Sequence, residues 1–100
     1  MSNNDEPIKL AFDINDVARQ VAAQYVTVEK DKCQLTFKEL DTISDSIVSQ
    51  VKEMVDLHTD HKDKVNKRYF AIDLISMGLS YAYYNNVNLN KFLSISLKED

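Results

Sequence analysis

The segment that most constrains the fold is Val65–Tyr84, VNKRYFAIDLISMGLSYAYY, the longest apolar-periodic stretch of the chain. Its apolar residues recur every three or four positions, which is the period of an α-helix. One such row contains Val65, Tyr69, Ile72, Ile75 or Ser76, Leu79 and Tyr83. A second row contains Phe70, Leu74, Met77, Tyr81 and Tyr84. A helix with two apolar rows has little surface left for water, so we expect it to be the centre of a bundle or half of a dimer core.

The composition favours a mainly helical chain. Only one glycine and one proline occur in 100 residues, so few positions suit the tight turns of an all-β sandwich. A chain of this length corresponds to about one domain. We therefore expect a single small domain over residues 1–100, with residues 1–8 as a flexible polar tail.

The sequence predicts a cytoplasmic protein that does not enter a membrane. The lone Cys33 excludes an intramolecular disulfide framework and fits a reducing compartment. The N-terminal residues MSNNDEPIK are polar and acidic, and no apolar signal-peptide core follows them. No apolar run approaches the roughly 18 residues of a spanning helix.

Two further helices precede the central one. Asp13 or Asn15 can cap the first helix, which should end at the β-branched residues after Tyr25. Its narrow apolar stripe comprises Ile14, Val17, Ala18, Val21, Ala22 and Tyr25. The second helix should run from Phe37 or Glu39 to Leu57. Its stripe comprises Leu40, Ile43, Ile47, Val51 and Met54.

Residues 26–37 allow two interpretations. Cys33, Leu35 and Phe37 alternate with polar residues, which is the period of a half-buried strand and would make Cys33 a small core residue. Thr36 followed by Glu39 is a capping box, which would instead start the second helix at Phe37. Both can hold if a strand ends where the helix begins. The fold expected is thus mainly α, with three to four helices and room for one short strand near residues 32–37.

The end of the chain is predicted to hold one more short helix. Asn85 and Asn86 should end the central helix. Residues 88–97 are then compatible with a final helix whose inward side chains would be Leu89, Phe92 and Leu93, and Leu97 if the helix extends that far.

No motif of the sequence predicts catalysis or a cofactor. There is no Gly-rich phosphate loop, no G-x-S-x-G and no HExxH. His58 and His61 lie among aspartates and are chemically able to hold a divalent metal. Histidines in a polar turn are more often solvated, and no third ligand is clearly placed. We therefore predict a protein that is not an enzyme and binds no metal.

A local basic cluster stands out in a chain of net charge −4. Residues 58–68 carry a net charge of +2 and contain Lys62, Lys64, Lys67 and Arg68. Positive side chains and free backbone N–H groups at the start of a helix suit a phosphate group. Tyr81, Tyr83 and Tyr84 form a second cluster, which indicates either an interface or the edge of a core.

Residues 32–84 resemble the ribbon-helix-helix DNA-binding proteins, which include small phage and plasmid repressors and relaxosome accessory proteins. The resemblance lies in a predicted strand, two helices and the stretch Ala71–Leu79, AIDLISMGL, which is similar to the family's A-I-x-x-L-I-x-x-G-L pattern. It implies a homodimer in which Lys32, Gln34 and Thr36 would read base edges from a two-stranded ribbon. The start of the central helix and the turn before it would hold phosphates through Lys62, Lys64, Lys67 and Arg68.

Two functions follow from these observations. The first is a small dimeric DNA-binding regulatory or accessory protein. The second is a non-enzymatic helical protein–protein interaction module, such as an inhibitor or adaptor, that acts through an acidic or tyrosine-rich face. The state of residues 32–37 separates them, because the DNA-reading ribbon requires a strand there.

Overall fold

The computed structural model describes residues 8–93 and 95–97, and this part of the chain is mainly α with four helices. The helices are α1 (Ile14–Tyr25), α2 (Phe37–Asp60), α3 (Lys67–Tyr84) and the single-turn α4 (Leu89–Phe92). Two short strands, β1 (Ile8–Leu10) and β2 (Ile95–Leu97), pair in parallel with Ile8 opposite Ile95. The predicted mainly helical fold is confirmed.

The end of the chain differs from the prediction. The last helix is only the four residues of α4, and residues 95–97 belong to β2 instead of continuing it. Phe92 and Leu93 are 70% and 51% exposed, so they do not point into the core. The predicted tail falls mostly on residues 1–7, which lie outside the described residues, while Ile8 already begins β1. Both strands share an apolar-polar-apolar pattern, but three residues are too short to distinguish a strand by period.

Helix α1 begins and ends where the sequence predicts. The carboxylate of Asp13 accepts a hydrogen bond from the backbone N–H of Asn15, and the helix stops after Tyr25 with Val26 in an extended conformation. Its buried residues are Ala18 and Ala22, and it packs mainly along α3. Because alanines present little side chain, the two helices can approach closely.

Helix α2 starts with the predicted capping box. Thr36 Oγ1 accepts from the backbone N–H of Glu39, and a Glu39 carboxylate oxygen accepts from the N–H of Thr36, each at 3.1 Å. The predicted stripe is confirmed, since Ile47 is buried and its other members are half-buried. The helix continues three residues past the predicted end at Leu57, to Asp60.

Residues 32–37 do not form the predicted short strand. Lys32–Gln34 form a 3₁₀ turn, and Phe37 is already the first residue of α2. The turn is closed locally, because Gln34 Oε1 accepts from the backbone N–H of Asp31 at 3.3 Å. Of the three alternating residues expected to point inward, only Leu35 is half-buried. Cys33 is exposed and Phe37 is 90% exposed, so the expectation of a core cysteine was wrong.

Helix α3 ends in a Schellman motif. The N–H of Val87 donates to the carbonyl oxygen of Ala82 at 3.0 Å, and the N–H of Asn86 donates to that of Tyr83. Asn86 adopts a left-handed conformation with a φ of 56°. These are the bonds and the backbone turn that satisfy the last carbonyl groups of a helix. The predicted end of α3 at Asn85–Asn86 is therefore confirmed.

The core lies around the C-terminal half of α3. Ala22, Ile47, Met77 and Tyr84 form the buried cluster there. At about 1.5 Å per residue, α1 is roughly 18 Å long and α3 roughly 27 Å. α1 is thus too short to cover the whole of α3, and the buried residues of α3 all lie from Ser76 onward. The molecule is flat, with a smallest extent of 18 Å, which is about two layers of helices.

Candidate interaction site

The three residues predicted to read DNA bases have different environments. The ammonium of Lys32 donates to the carbonyl oxygen of Tyr83 at 2.7 Å and lies 4.3 Å from the centroid of the Tyr83 ring. Partial burial lowers the pKa of Lys32. Thr36 caps α2, and Gln34 is exposed beside its bond to Asp31. They do not form one outward-facing row on a strand.

The predicted phosphate-holding residues lie together at the turn between α2 and α3. Lys62 and Lys64 belong to a 3₁₀ turn, while Lys67 and Arg68 are the first two residues of α3. All four are exposed. Within the described residues, none of them forms a salt bridge. The turn therefore presents uncompensated positive charge at one end of the α2–α3 pair.

The two histidines lie in different environments. His58 is half-buried and its ring packs against Phe70, with centroids 5.1 Å apart and a 45° tilt. His61 is exposed at the end of α2. Among residues 8–93 and 95–97, no group of three or more histidine, cysteine or acidic residues is placed to hold a metal ion.

The tyrosines do not share one face. Tyr84 is a core residue at 6% exposure, and its ring meets that of Tyr83 edge to face with centroids 5.0 Å apart. Burial raises the pKa of the Tyr84 hydroxyl. Tyr81 is 40% exposed on another side of α3, and Tyr25 and Tyr69 are 42% and 67% exposed. The exposed tyrosines therefore lie on different parts of the surface and do not form one cluster.

A groove with apolar and acidic walls runs between α2 and α3 beside the end of α1. We call it the Tyr25 groove. It has a volume of about 420 Å³ and is lined by Tyr25, Gln50, Glu53, Met54, Leu57, Asp73 and Met77. Glu53 and Asp73 are both exposed, and neither has a salt-bridge partner among the described residues. Two carboxylates above an apolar floor suit a ligand that is both apolar and basic.

Apolar side chains extend this surface along α3 beyond the end of α1. Tyr69, Ile72 and Ile75 are 67%, 49% and 62% exposed. They continue the row to which the half-buried Leu79 and Tyr83 belong, at spacings of three and four. The row is therefore exposed along the first half of α3 and becomes half-buried toward its C-terminal end. A large apolar area that is left open in this way is characteristic of a protein-binding surface.

The sequence predicted the apolar rows of α3 but not this groove. The groove combines the outer sides of two helices with the end of a third, and spacing within one helix does not reveal such a combination. One signal was present: Val48, Val55 and Leu57 are apolar residues of α2 outside its inward stripe. All three are at least 44% exposed.

Comparison with known proteins finds no matching family model, no similar curated protein and no similar solved structure. No helix in the described part of the chain is long and apolar enough to cross a membrane.

Proposed function

We propose that this protein is a non-enzymatic helical interaction module that forms a homodimer and binds a segment of another protein in the Tyr25 groove. The observation that supports this function best is the open apolar row Tyr69, Ile72 and Ile75, which stands next to the groove. Exposing such side chains is unfavourable in water unless a partner covers them. An adaptor or an inhibitor would use this surface without any chemical step.

The walls of the groove indicate the chemistry of the partner. An amphipathic helix would place apolar side chains against Leu57, Tyr69 and Ile72, in the manner of helix-in-groove recognition. Lysine or arginine side chains at its flank would meet the carboxylates of Glu53 and Asp73. The proposed ligand is therefore a basic amphipathic helix.

The experiment compares capture of partners by the wild type and by surface variants. Tyr69→Ser with Ile72→Ser should lose a protein that the wild type retains from an extract of its own cells. Glu53→Gln with Asp73→Asn should weaken retention and reduce its salt dependence. Phe37→Ser is the matched control, because it removes an even more exposed aromatic ring far from the groove. A partner retained equally by all four proteins contradicts the groove as the binding site.

A second candidate is the DNA-binding regulatory or accessory role. It is favoured by the exposure of Lys62, Lys64, Lys67 and Arg68 and by their lack of salt bridges with other described residues. Since residues 32–37 form no strand, this proposal rests on phosphate contacts alone. Such contacts would be doubled in a homodimer.

Electrophoretic mobility of labelled duplex DNA tests the second candidate. Binding through phosphates should weaken steeply as salt rises from low to moderate concentration. Lys62→Glu with Lys64→Glu should abolish retardation while circular dichroism stays unchanged. Absence of retardation even at low salt excludes the DNA-binding role.

A further inference from the structure

The face of α3 that points away from α1 carries a second open row of residues. We call it the Gly78 row, and it consists of Lys67, Ala71, Leu74, Gly78, Tyr81 and Asn85. Successive members are alternately four and three positions apart, which is the heptad spacing of a seam between two helices. Every member is exposed, with Leu74 at 41% and Tyr81 at 40%. The row is thus built like a helix–helix interface, and no helix in the described part of the chain covers it.

Gly78 is the residue of this row that the single chain does not explain. It is the only glycine of the sequence and lies in the interior of α3. Glycine is much less favourable than alanine at such a position. A Cβ atom added at Gly78 would meet nothing within 4 Å, so no neighbour among the described residues requires the glycine. A close approach from outside the chain would require it.

We infer that a second copy of the chain covers the Gly78 row, with the two α3 helices antiparallel about a two-fold axis that crosses the row at the level of position 76. Large and small residues alternate along the row. Reversal about position 76 sets Leu74 against the partner's Gly78 and Ala71 against the partner's Tyr81. Each large side chain then enters the space above a small one. The row is therefore complementary in shape to its own reversed copy, as a two-fold interface requires.

The groove beside the row provides the walls of this interface. It has a volume of about 270 Å³, and Ile47, Val48, Val51, Leu74, Met77, Gly78 and Tyr81 line it. On α2, the open residues Val48 and Val55 stand on the same side as the groove, seven positions apart. A helix seated over Gly78 would cover them together with Leu74 and Tyr81.

Charge complementarity favours the same antiparallel arrangement. Lys67 at the start of α3 would lie next to the partner's Asn85, where the negative end of the helix dipole is located. The N-terminal part of α2 adjoins that end, as the bond from Asn85 Nδ2 to Ser44 Oγ at 2.9 Å shows. Asp41 and Asp45 are exposed there and share the face of α2 that carries Val48. A parallel pair would instead bring Lys67 next to the partner's Lys67.

The proposed dimer leaves the other face of the α2–α3 pair uncovered. The Tyr25 groove lies on the opposite side of the α2–α3 pair and would remain open in this dimer.

This inference rests on the homodimer of the proposed function and names its interface. Sedimentation velocity over a concentration series measures the dimer, and far-ultraviolet circular dichroism measures the helix content of each variant. Gly78→Leu should weaken dimerisation at least about tenfold, because the added side chain collides with the partner's Leu74. Leu74→Ala in addition to Gly78→Leu should recover most of that loss, since a large residue again faces a small one.

Two further variants separate an interface effect from a folding effect. Gly78→Ala should raise the thermal midpoint of the dilute monomer, because alanine is the better helix residue, and yet weaken the dimer. Ser49→Leu places the same large side chain on the outer face of α2 and should leave the dimer unchanged. If the wild type is a dimer and Gly78→Leu does not weaken it, the proposed interface is wrong but the homodimer is not. A wild-type monomer at all concentrations overturns both, whereas capture of a partner through the Tyr25 groove is measured separately.

Discussion

Lys32 donates a hydrogen bond from its ammonium to the carbonyl oxygen of Tyr83 at 2.7 Å, across 51 positions of the sequence. The bond joins the turn between α1 and α2 to the last turn of α3. The carbonyl groups at the end of a helix lack partners within the helix and carry partial negative charge. Lys32 therefore acts as an intramolecular cap for α3, which is a structural role for a residue that the resemblance to DNA-binding proteins had assigned to base reading.

Replacing Lys32 with methionine should destabilise the fold by about 1–2 kcal/mol, the contribution of a charge-assisted hydrogen bond at a partly exposed position. Methionine keeps most of the apolar stem, so the change isolates the ammonium. Lys30→Met is the matched control: it removes only the surface ion pair with Glu39 at 3.0 Å, with an expected cost of about 0.5 kcal/mol. Urea unfolding of both variants measures the difference. Equal losses would show that the bond to Tyr83 contributes nothing specific.

The capping box of α2 should make stability depend on acidic pH. The backbone N–H of Thr36, followed by Lys30, holds the pKa of Glu39 below its ordinary value of 4.5. In the unfolded chain Glu39 therefore takes up its proton at higher pH than in the folded chain. Its stabilisation is complete above pH 4.5 and is lost as the pH falls through the folded-state pKa.

Glu39→Gln tests this contribution, because glutamine can still bond to the N–H of Thr36 but does not titrate. Thermal unfolding between pH 3 and pH 6 should show a smaller decrease of the melting temperature for the variant than for the wild type. If the two curves remain parallel throughout this range, Glu39 is not responsible for the acid dependence.

Substitutions of apolar residues in α2 should reduce the free energy of unfolding according to how deeply each side chain is buried. Ile47 is 2% exposed and contacts the core cluster, whereas Phe37 is 90% exposed. Ile47→Ala should cost about 2–5 kcal/mol through lost burial and the remaining cavity. Phe37→Ala should cost less than about 0.5 kcal/mol. Denaturant unfolding of dilute samples would contradict this ranking if Phe37→Ala were the more damaging change.

The left-handed turn at Asn86 gives a prediction about backbone conformation. At a φ of 56° an alanine side chain is strained, while glycine is not. Asn86→Ala should destabilise the protein by about 1 kcal/mol, and Asn86→Gly should be neutral or slightly stabilising. Thermal unfolding of the two variants gives the comparison. If both variants are destabilised, the side chain of Asn86, and not its backbone angle, determines the effect.

The parts of the fold that the sequence predicted are those determined by local interactions. Asp13, Thr36 with Glu39, and Asn86 mark helix ends through bonds to backbone groups within a few residues. The sequence proposed Asp13 or Asn15 as the first cap, the Thr36–Glu39 capping box as one of two interpretations, and Asn85–Asn86 as the end of α3. The inward stripe of α2 follows from its period alone. In each of these cases the cause of the structure lies within one or two helical turns.

The errors came from interactions between distant residues or from alternatives of nearly equal local strength. The alternation at Cys33, Leu35 and Phe37 resembled a strand, but Lys32–Gln34 form a 3₁₀ turn and the capping box starts α2 at Phe37. The strand pair joins Ile8 to Ile95, which no local pattern indicates. The Tyr25 groove depends on where α1 ends relative to α3, and that offset is a property of packing.

The parallel pairing of β1 and β2 has a consequence for the order of folding. The helices α1, α2 and α3 can pack on one another as soon as residues up to Tyr84 are present. β1 acquires its partner only when residues 95–97 are present, because its register joins Ile8 to Ile95. Closing so large a loop is entropically expensive and slow. We therefore expect the strand pair to form last and open first, so that the amides of Lys9 and Leu10 exchange with solvent before those of the core helices.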